Sequence, residues 1–193
     1  MIALKQTTKS AKNVIILILM ISALIIPTKH SLAVEDSTIG FIIEASQMEG
    51  TPLGILPTLG ETANQKAQPM LEFKFANCSV QGLTIKKLVK TQNGIVMTKI
   101  TSKDTVQFKT LSLKVSNAEF KQIYAPELGK IGFRDIKLLA HDVNSSHATL
   151  PQFALEFETD TNLELQPKNE QELQTMKSTL ENLIQTLLKS DAN

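Results

Sequence analysis

The residues best suited to chemistry are two histidines, an aspartate and the single cysteine. His141 and His147 lie near Asp142, and two imidazoles with a carboxylate could bind a metal ion. Cys78 could act as a nucleophile only with a base beside it. The histidine spacing matches no helical or hairpin ligand set, and Cys78 stands in an apolar, strand-like pattern. We therefore expect no metal, no cofactor and a buried, unreactive thiol.

Charged side chains cluster at two further places. Glu156, Glu158 and Asp160 alternate with apolar residues, so they share one face of a predicted strand. Paired carboxylates can hydrolyse glycosides, but this alternation is typical of a solvated sheet face that lies opposite apolar side chains. Three lysines within 86–90 have no interleaved aromatic residues, which is typical of a charged edge strand. The chain also contains no nucleophile elbow and no phosphate-binding glycine loop, and we expect no enzymatic activity.

The first 33 residues have the layout of a secretory signal. Three lysines and no acid precede an apolar run over 14–26, and Ser31 and Ala33 provide the small residues that a signal peptidase reads. The apolar run is shorter than the roughly 20 residues that cross a bilayer, which disfavours an uncleaved anchor. We expect cleavage between Ala33 and Val34, and a secreted or extracytoplasmic protein at the cell surface or envelope.

Composition restricts the class of protein that remains after cleavage. The 193 residues are 42% hydrophobic and 20% charged, which is too apolar and too balanced in charge for a disordered chain. Removal of residues 1–33 takes four of the 20 basic residues and none of the 19 acidic ones, which leaves a formal charge of −3. We therefore expect no nucleic-acid partner. With a single cysteine there is no internal disulfide, so stability must come from a packed core.

Four short segments share one pattern, which we interpret as an internal repeat. Apolar residues occupy the first, third and fifth positions, an amide or acid the seventh, and an apolar residue the eighth. The segments are Phe41–Met48, Leu71–Cys78, Leu111–Ala118 and Ile136–Val143. Alternation of this kind predicts strands with one buried face, and the polar seventh residue predicts a bulge or corner. We expect a mainly β domain over 34–167, either a β-sandwich or an irregular solenoid-like stack.

Residues 50–69 contain so many glycines and prolines that we expect a loop rather than a regular element. The loop is unusually apolar because it carries Leu53, Ile55, Leu56 and Leu59. These four residues are the candidates for contact with a hydrophobic ligand, a membrane or a partner. The alternative is that the loop simply folds over one end of the core.

The C-terminal segment, 168–193, predicts an amphipathic helix over about 170–189. Its apolar residues follow a three–four spacing, and Asn169 with Glu172 forms a capping-box pattern. The apolar stripe consists of Leu173, Met176, Leu180, Leu183 and Leu187. Either this stripe packs on the β domain, or it mediates self-association.

Three parts of the chain resemble a family of secreted bacterial proteins of unknown function, best represented in actinomycetes. They are Ser37–Gly50, the strand around Asn77 and Cys78, and Phe108–Phe120, within a likeness that covers 37–145. The long C-terminal helix departs from that family. The resemblance implies an exported, mainly β and non-enzymatic protein, and it provides no functional residue.

Three functions remain open. The first is a non-enzymatic binding or structural role at the cell envelope or outside the cell, with an unknown protein or envelope component as the partner. The second is a carrier of lipid or another hydrophobic ligand, because leucine and isoleucine are abundant and aromatic residues are few. A hydrolase is the remote third, and it would need a histidine within reach of Cys78, a serine or a carboxylate.

Overall fold

A computed structural model describes residues 37–63, 65–92, 94–149, 151–159 and 165–190. Eight strands and one helix follow each other along this part of the chain. They are β1 (Ser37–Gly60), β2 (Gln68–Gln81), β3 (Thr84–Thr91), β4 (Gly94–Ser102), β5 (Val106–Tyr124), β6 (Ile131–Asn144), β7 (His147–Thr149), β8 (Phe153–Thr159) and α1 (Glu170–Ser190). The mainly β fold with one C-terminal helix is confirmed. The predicted signal peptide and its cleavage position lie outside the described residues.

All described strands belong to one antiparallel sheet, in the order β2-β5-β6-β1-β3-β4-β8, with β7 paired to the start of β5. Strand β1 also pairs with β2, so β1, β2, β5 and β6 close into a four-stranded barrel. The length of β1 makes this closure possible. Its first part pairs with β3 and β6, and its last part pairs with β2. Strands β3, β4 and β8 continue the sheet beyond the barrel, and we call them the sheet extension.

The prediction of a loop over 50–69 is wrong for residues 50–60, because β1 continues to Gly60 and pairs with β2. Only the connection between Gly60 and Gln68 is not a strand in its described part. Two register shifts, between Gly50 and Pro52 and between Pro52 and Gly54, accommodate the first proline and the glycines. Beyond Gly50 the strand pairs with β2 alone among the described strands, and an edge strand tolerates a proline such as Pro57.

Bulges occur at three of the four polar corner positions. Asn77 lies where β2 has one more residue than β1, Asn117 follows a shift in β5, and Asp142 precedes one in β6. Gln47 instead lies in regular pairing with Arg134. An amide or acid at the seventh position therefore accompanies a bulge in β2, β5 and β6. That the four segments are copies of one unit stays a prediction.

The barrel interior is a single apolar core, and the predicted inward alternation is confirmed. Of the twelve first, third and fifth positions, eleven are buried there and Phe41 packs against them. Phe120 and Phe133 have ring centroids 4.8 Å apart and each also contacts a phenylalanine of β2. Helix α1 adds Leu173 and Leu180 to the same core and lies against β1, β2 and β5.

The helix begins as the sequence predicts. The backbone N–H of Glu172 donates to Asn169 Oδ1, and the backbone N–H of Asn169 donates to Glu172 Oε2, both at 2.9 Å. These two bonds satisfy backbone donors that a helix start otherwise leaves unpaired. Among the described residues, no helix combines the length and apolar character that a membrane crossing requires.

A second, smaller core lies on the outside of the barrel. It consists of Ile42, Leu88, Met97, Leu139 and Leu165. Residues 165–169 run over this side towards α1. They are held to β5 because the N–H of Lys168 donates to the carbonyl of Ser116, and the Nδ2 of Asn117 donates to the carbonyl of Gln166. Strands β1 and β6 are therefore buried on both faces in this region.

Candidate functional site

The inner face of the sheet extension continues the barrel core into solvent. In the strand register, Ile43 of β1 pairs with Ile85, Ile85 with Ile100, and Ile100 with Leu155. Paired residues in adjacent strands project from the same face, so these four form one row across four strands. Ile43 is buried in the core, Ile85 and Ile100 are partly buried, and Leu155 is 50% exposed. The row thus runs from the protein interior to an open apolar surface.

Two aromatic side chains flank the outer end of this row. Phe153 and Phe157 share the face of Leu155 and are 62% and 70% exposed. Strand β8 is the last strand in the sheet order, and among the described residues nothing covers this face of it. Exposed aromatic and aliphatic residues in one stripe are typical of an interaction surface.

The sequence missed this surface. The sequence predicts that the acids of β8 lie on a solvated face opposite its apolar residues, and the structure shows that both faces are exposed from Phe153 to Glu158. A strand whose apolar face is covered and one whose apolar face is open have the same alternation, so no sequence signal separates the two cases.

The outer face of the extension carries several ion pairs. Lys86 Nζ lies 3.2 Å from a carboxylate oxygen of Glu44, and Lys137 Nζ also lies 3.2 Å from that carboxylate. Further along the sheet, Lys99 Nζ lies 2.9 Å from Glu156 Oε2, and this carboxylate raises the pKa of Lys99. The outer face therefore combines these ion pairs with the small apolar core around Leu88 and Met97, whereas the inner face is apolar apart from Lys87.

The lysine cluster of β3 is divided between these two faces. Lys86 and Lys90 lie on the outer face, whereas Lys87 shares the inner face with Ile85 and is exposed. Strand β3 pairs with both β1 and β4, so the prediction that this cluster protects an edge strand is wrong. Lys87 instead lies within the apolar surface, opposite Phe41 on one side and Thr98 on the other.

Lys87 is the only charged side chain on the described part of this inner face. The other inner residues of β3, β4 and β8 are Ile85, Val89, Thr91, Val96, Thr98, Ile100, Ser102, Phe153, Leu155 and Phe157. Within the described residues Lys87 forms no ion pair, in contrast to Lys86 and Lys99 on the outer face.

A small apolar cavity adjoins the row inside the barrel. Its volume is about 30 Å³, and Ile43 and Ile85 belong to its lining together with Leu83, Phe108 and Val143. A space of this size holds about one water molecule. The barrel interior is therefore filled by its own side chains and has no room for a hydrophobic ligand of any length.

The four apolar residues predicted to touch a ligand fall into two groups. Ile55 is buried in the barrel core. Leu53, Leu56 and Leu59 are exposed along the last part of β1. Leu59 also lines a groove of about 260 Å³ between the hairpin formed by β1 and β2 and the start of α1, where Glu170 and Gln174 contribute polar atoms. Contact of these leucines with a ligand stays a prediction.

Two sequence candidates for chemistry, Cys78 and His141, lie in packed surroundings. Cys78 is buried, and burial raises the pKa of its thiol to about 12. His141 Nε2 lies 2.8 Å from Ser116 Oγ, which is the serine–histidine contact that a hydrolase would need. Ser116 has no exposed surface, however, and the pair fills adjacent bulges in β5 and β6. The Ser116 hydroxyl is therefore closed off from solvent in the described structure.

The remaining charged candidates are separate from one another. His147 lies in the exposed strand β7, and Asp142 Oδ2 pairs with Lys114 Nζ at 2.9 Å. Glu158 is exposed, and Asp160 lies outside the described residues. Within the described part of the chain, no group of three or more histidine, cysteine, aspartate or glutamate residues could hold a metal ion.

Comparison of the chain with protein-family models, with curated proteins and with solved structures found no significant match.

Proposed function

We propose that this chain is an exported, non-enzymatic protein that binds a hydrophobic ligand on the inner face of its sheet extension. The observation that carries the proposal is the row Ile43–Ile85–Ile100–Leu155, which joins a packed core to an uncovered apolar surface. Export rests on the signal-like N-terminus, and the absence of enzymatic activity is an expectation from the sequence.

The size of the surface suits a ligand that covers several side chains at once. Full burial of a leucine or phenylalanine side chain is worth about 1.5–3 kcal/mol. Covering the three exposed side chains of β8, which are already partly shielded, contributes roughly 3–6 kcal/mol, close to a millimolar dissociation constant if they acted alone. Tighter binding requires a ligand long enough to cover Ile85 and Ile100 as well.

A matched pair of leucines tests the location of the ligand. Leu155 is 50% exposed on the proposed surface, and Leu56 is 48% exposed on β1. The measurement is fluorescence of N-phenylnaphthylamine, an uncharged dye that brightens in apolar surroundings, and its displacement by dodecanol. We expect Leu155→Ser to weaken binding about tenfold, because it removes apolar contact worth about 1.4 kcal/mol.

Leu56→Ser is the control and should bind the dye like the unmodified protein. Weaker binding in Leu56→Ser with unchanged binding in Leu155→Ser would move the ligand to the β1–β2 hairpin and overturn the proposal. Absence of dye and dodecanol binding in the unmodified protein would also overturn it.

Export is tested separately by expressing the full chain and fractionating the cells. The protein outside the cytoplasm should begin at Val34 by intact mass. A mass that retains residues 1–33, or retention of all protein in the cytoplasm, would contradict export.

A further inference from the structure

On the described part of the sheet extension the inner face carries a single charge, that of Lys87, and this charge indicates the class of ligand. Lys87 lies in the row Phe41–Lys87–Thr98–Phe157, next to the row that ends at Leu155. Building on the function proposed above, we propose that the ligand is a single long-chain amphiphile with an anionic head group. The Lys87 ammonium binds the head group, and the tail lies along Ile100, Leu155 and Phe153.

The distribution of carboxylates supports an external anion as the partner of Lys87. On the outer face, Lys86 and Lys99 each have a carboxylate within 3.2 Å. On the inner face the described residues include no acid, so none of them offers Lys87 a counter-ion there. An ammonium beside apolar side chains attracts an anion more strongly than one in open water, because less solvent screens the pair.

The dimensions of the face fit such a molecule. Lys87 and Leu155 lie on strands two positions apart in the sheet, and Phe153 lies four residues along β8 from the Lys87 row. With strands about 4.8 Å apart and about 3.3 Å per residue, the diagonal from Lys87 to Phe153 is roughly 16 Å. An extended acyl tail of medium to long length spans this distance.

Charge also favours a single amphiphile over an anionic membrane. Without residues 1–33 the chain has 16 basic and 19 acidic residues, which is a formal charge of −3. A net negative protein is repelled by an anionic lipid surface at long range. One dissolved anion experiences mainly the local field of Lys87.

The experiment compares dodecanoate with dodecanol, which have the same tail and differ in the charge of the head group. We expect the unmodified protein to bind dodecanoate about three- to tenfold more tightly than dodecanol at low salt. Lys87→Gln should remove this preference and leave dodecanol binding unchanged. Lys90→Gln is the matched control, because Lys90 is an exposed lysine of the same strand on the opposite face.

Each outcome distinguishes this inference from the proposed function. Equal binding of both ligands, or a preference that survives Lys87→Gln, overturns the anionic head group and leaves hydrophobic binding intact. Failure of both ligands to bind removes the proposed function as well.

Two other occupants of the face are separate outcomes. If the protein sedimented with anionic vesicles and excess dodecanoate did not prevent this, the occupant of the face would be a membrane surface instead. A dimer in light scattering that Leu155→Ser dissociates would show a second copy on the face. Either result overturns the inference.

Discussion

His141 Nε2 and Ser116 Oγ are 2.8 Å apart at the point where β5 and β6 both bulge. The ring also lies against Gly40 of β1, where a Cβ atom would stand 3.1 Å from His141 Nδ1. Burial lowers the pKa of His141, and a hydrogen bond with the backbone of Ile39 opposes this effect. The hydrogen bonds of the His141 ring thus link β6 to β5 and β1, beside the second, smaller core.

This environment predicts that acid destabilises the fold. Because the pKa of folded His141 lies below the 6.5 of the free side chain, the folded state disfavours the protonated ring. The free energy of unfolding should be fully maintained above about pH 6.5 and should decrease as the pH falls towards 5. Urea denaturation between pH 5 and pH 8 measures this dependence.

His141→Gln should flatten the pH dependence in this range, because it removes the titrating ring. His147→Gln is the control, since His147 lies in an exposed strand. An equally steep decrease in His141→Gln would assign the acid sensitivity to other groups.

Ser116→Ala should destabilise the protein by about 1–2 kcal/mol, because it leaves the buried face of the His141 ring without its partner. Ser146→Ala provides a comparison, since the Ser146 hydroxyl also donates a hydrogen bond, to the carbonyl of Lys109, but is exposed. Chemical denaturation at pH 8, where His141 is neutral, compares the two free energies. Equal, small losses of unfolding free energy in both variants would show that the buried hydrogen bond contributes no more to stability than the exposed one.

The Cys78 thiol should not react with Ellman's reagent in the folded protein. Its pKa is raised to about 12 by burial, so both the thiolate fraction and access to the sulfur are very small at pH 8. Reaction should appear in urea, at the concentration where the strands unfold. Rapid labelling in native buffer would contradict the buried position of the thiol.

Helix α1 should contribute to stability through the residues that enter the barrel core. Leu180→Ala removes a side chain that is 3% exposed and should cost about 2–5 kcal/mol of unfolding free energy. Leu183→Ala, one turn on and 42% exposed, should cost less than about 1 kcal/mol. Urea denaturation of both variants tests this, and equal costs would contradict the packing of the helix on the barrel.

The start of the helix makes a smaller contribution. Asn169→Ala removes the side-chain acceptor of the Glu172 N–H and should cost about 1 kcal/mol. The double variant Asn169→Ala with Glu172→Ala should cost less than the sum of the single changes, because the two bonds are reciprocal. Strict additivity would show that the capping box does not act as a unit.

Local pattern was sufficient to predict the strand cores and the helix. The alternation through Phe73, Leu113 and Leu138 and the three–four spacing through Leu173 and Leu180 depend only on backbone geometry, which repeats every two residues in a strand and every 3.6 in a helix. The capping box depends on two residues three apart and was predicted for the same reason. Residues 50–60 were misread because proline and glycine forbid a central strand, whereas here they occupy bulges and an edge.

Which strands pair, and which apolar faces remain uncovered, was decided by the tertiary structure alone. Closure of the barrel joins Gly50 to Cys78 and Phe41 to Ala140, contacts whose partners are far apart along the chain. The uncovered inner face follows from the position of β8 at the end of the sheet, and not from its composition. Burial depends on the packing partner as much as on the residue itself. The sequence therefore predicted that Leu155 lies on the apolar face of a strand, whereas only the fold left that face uncovered.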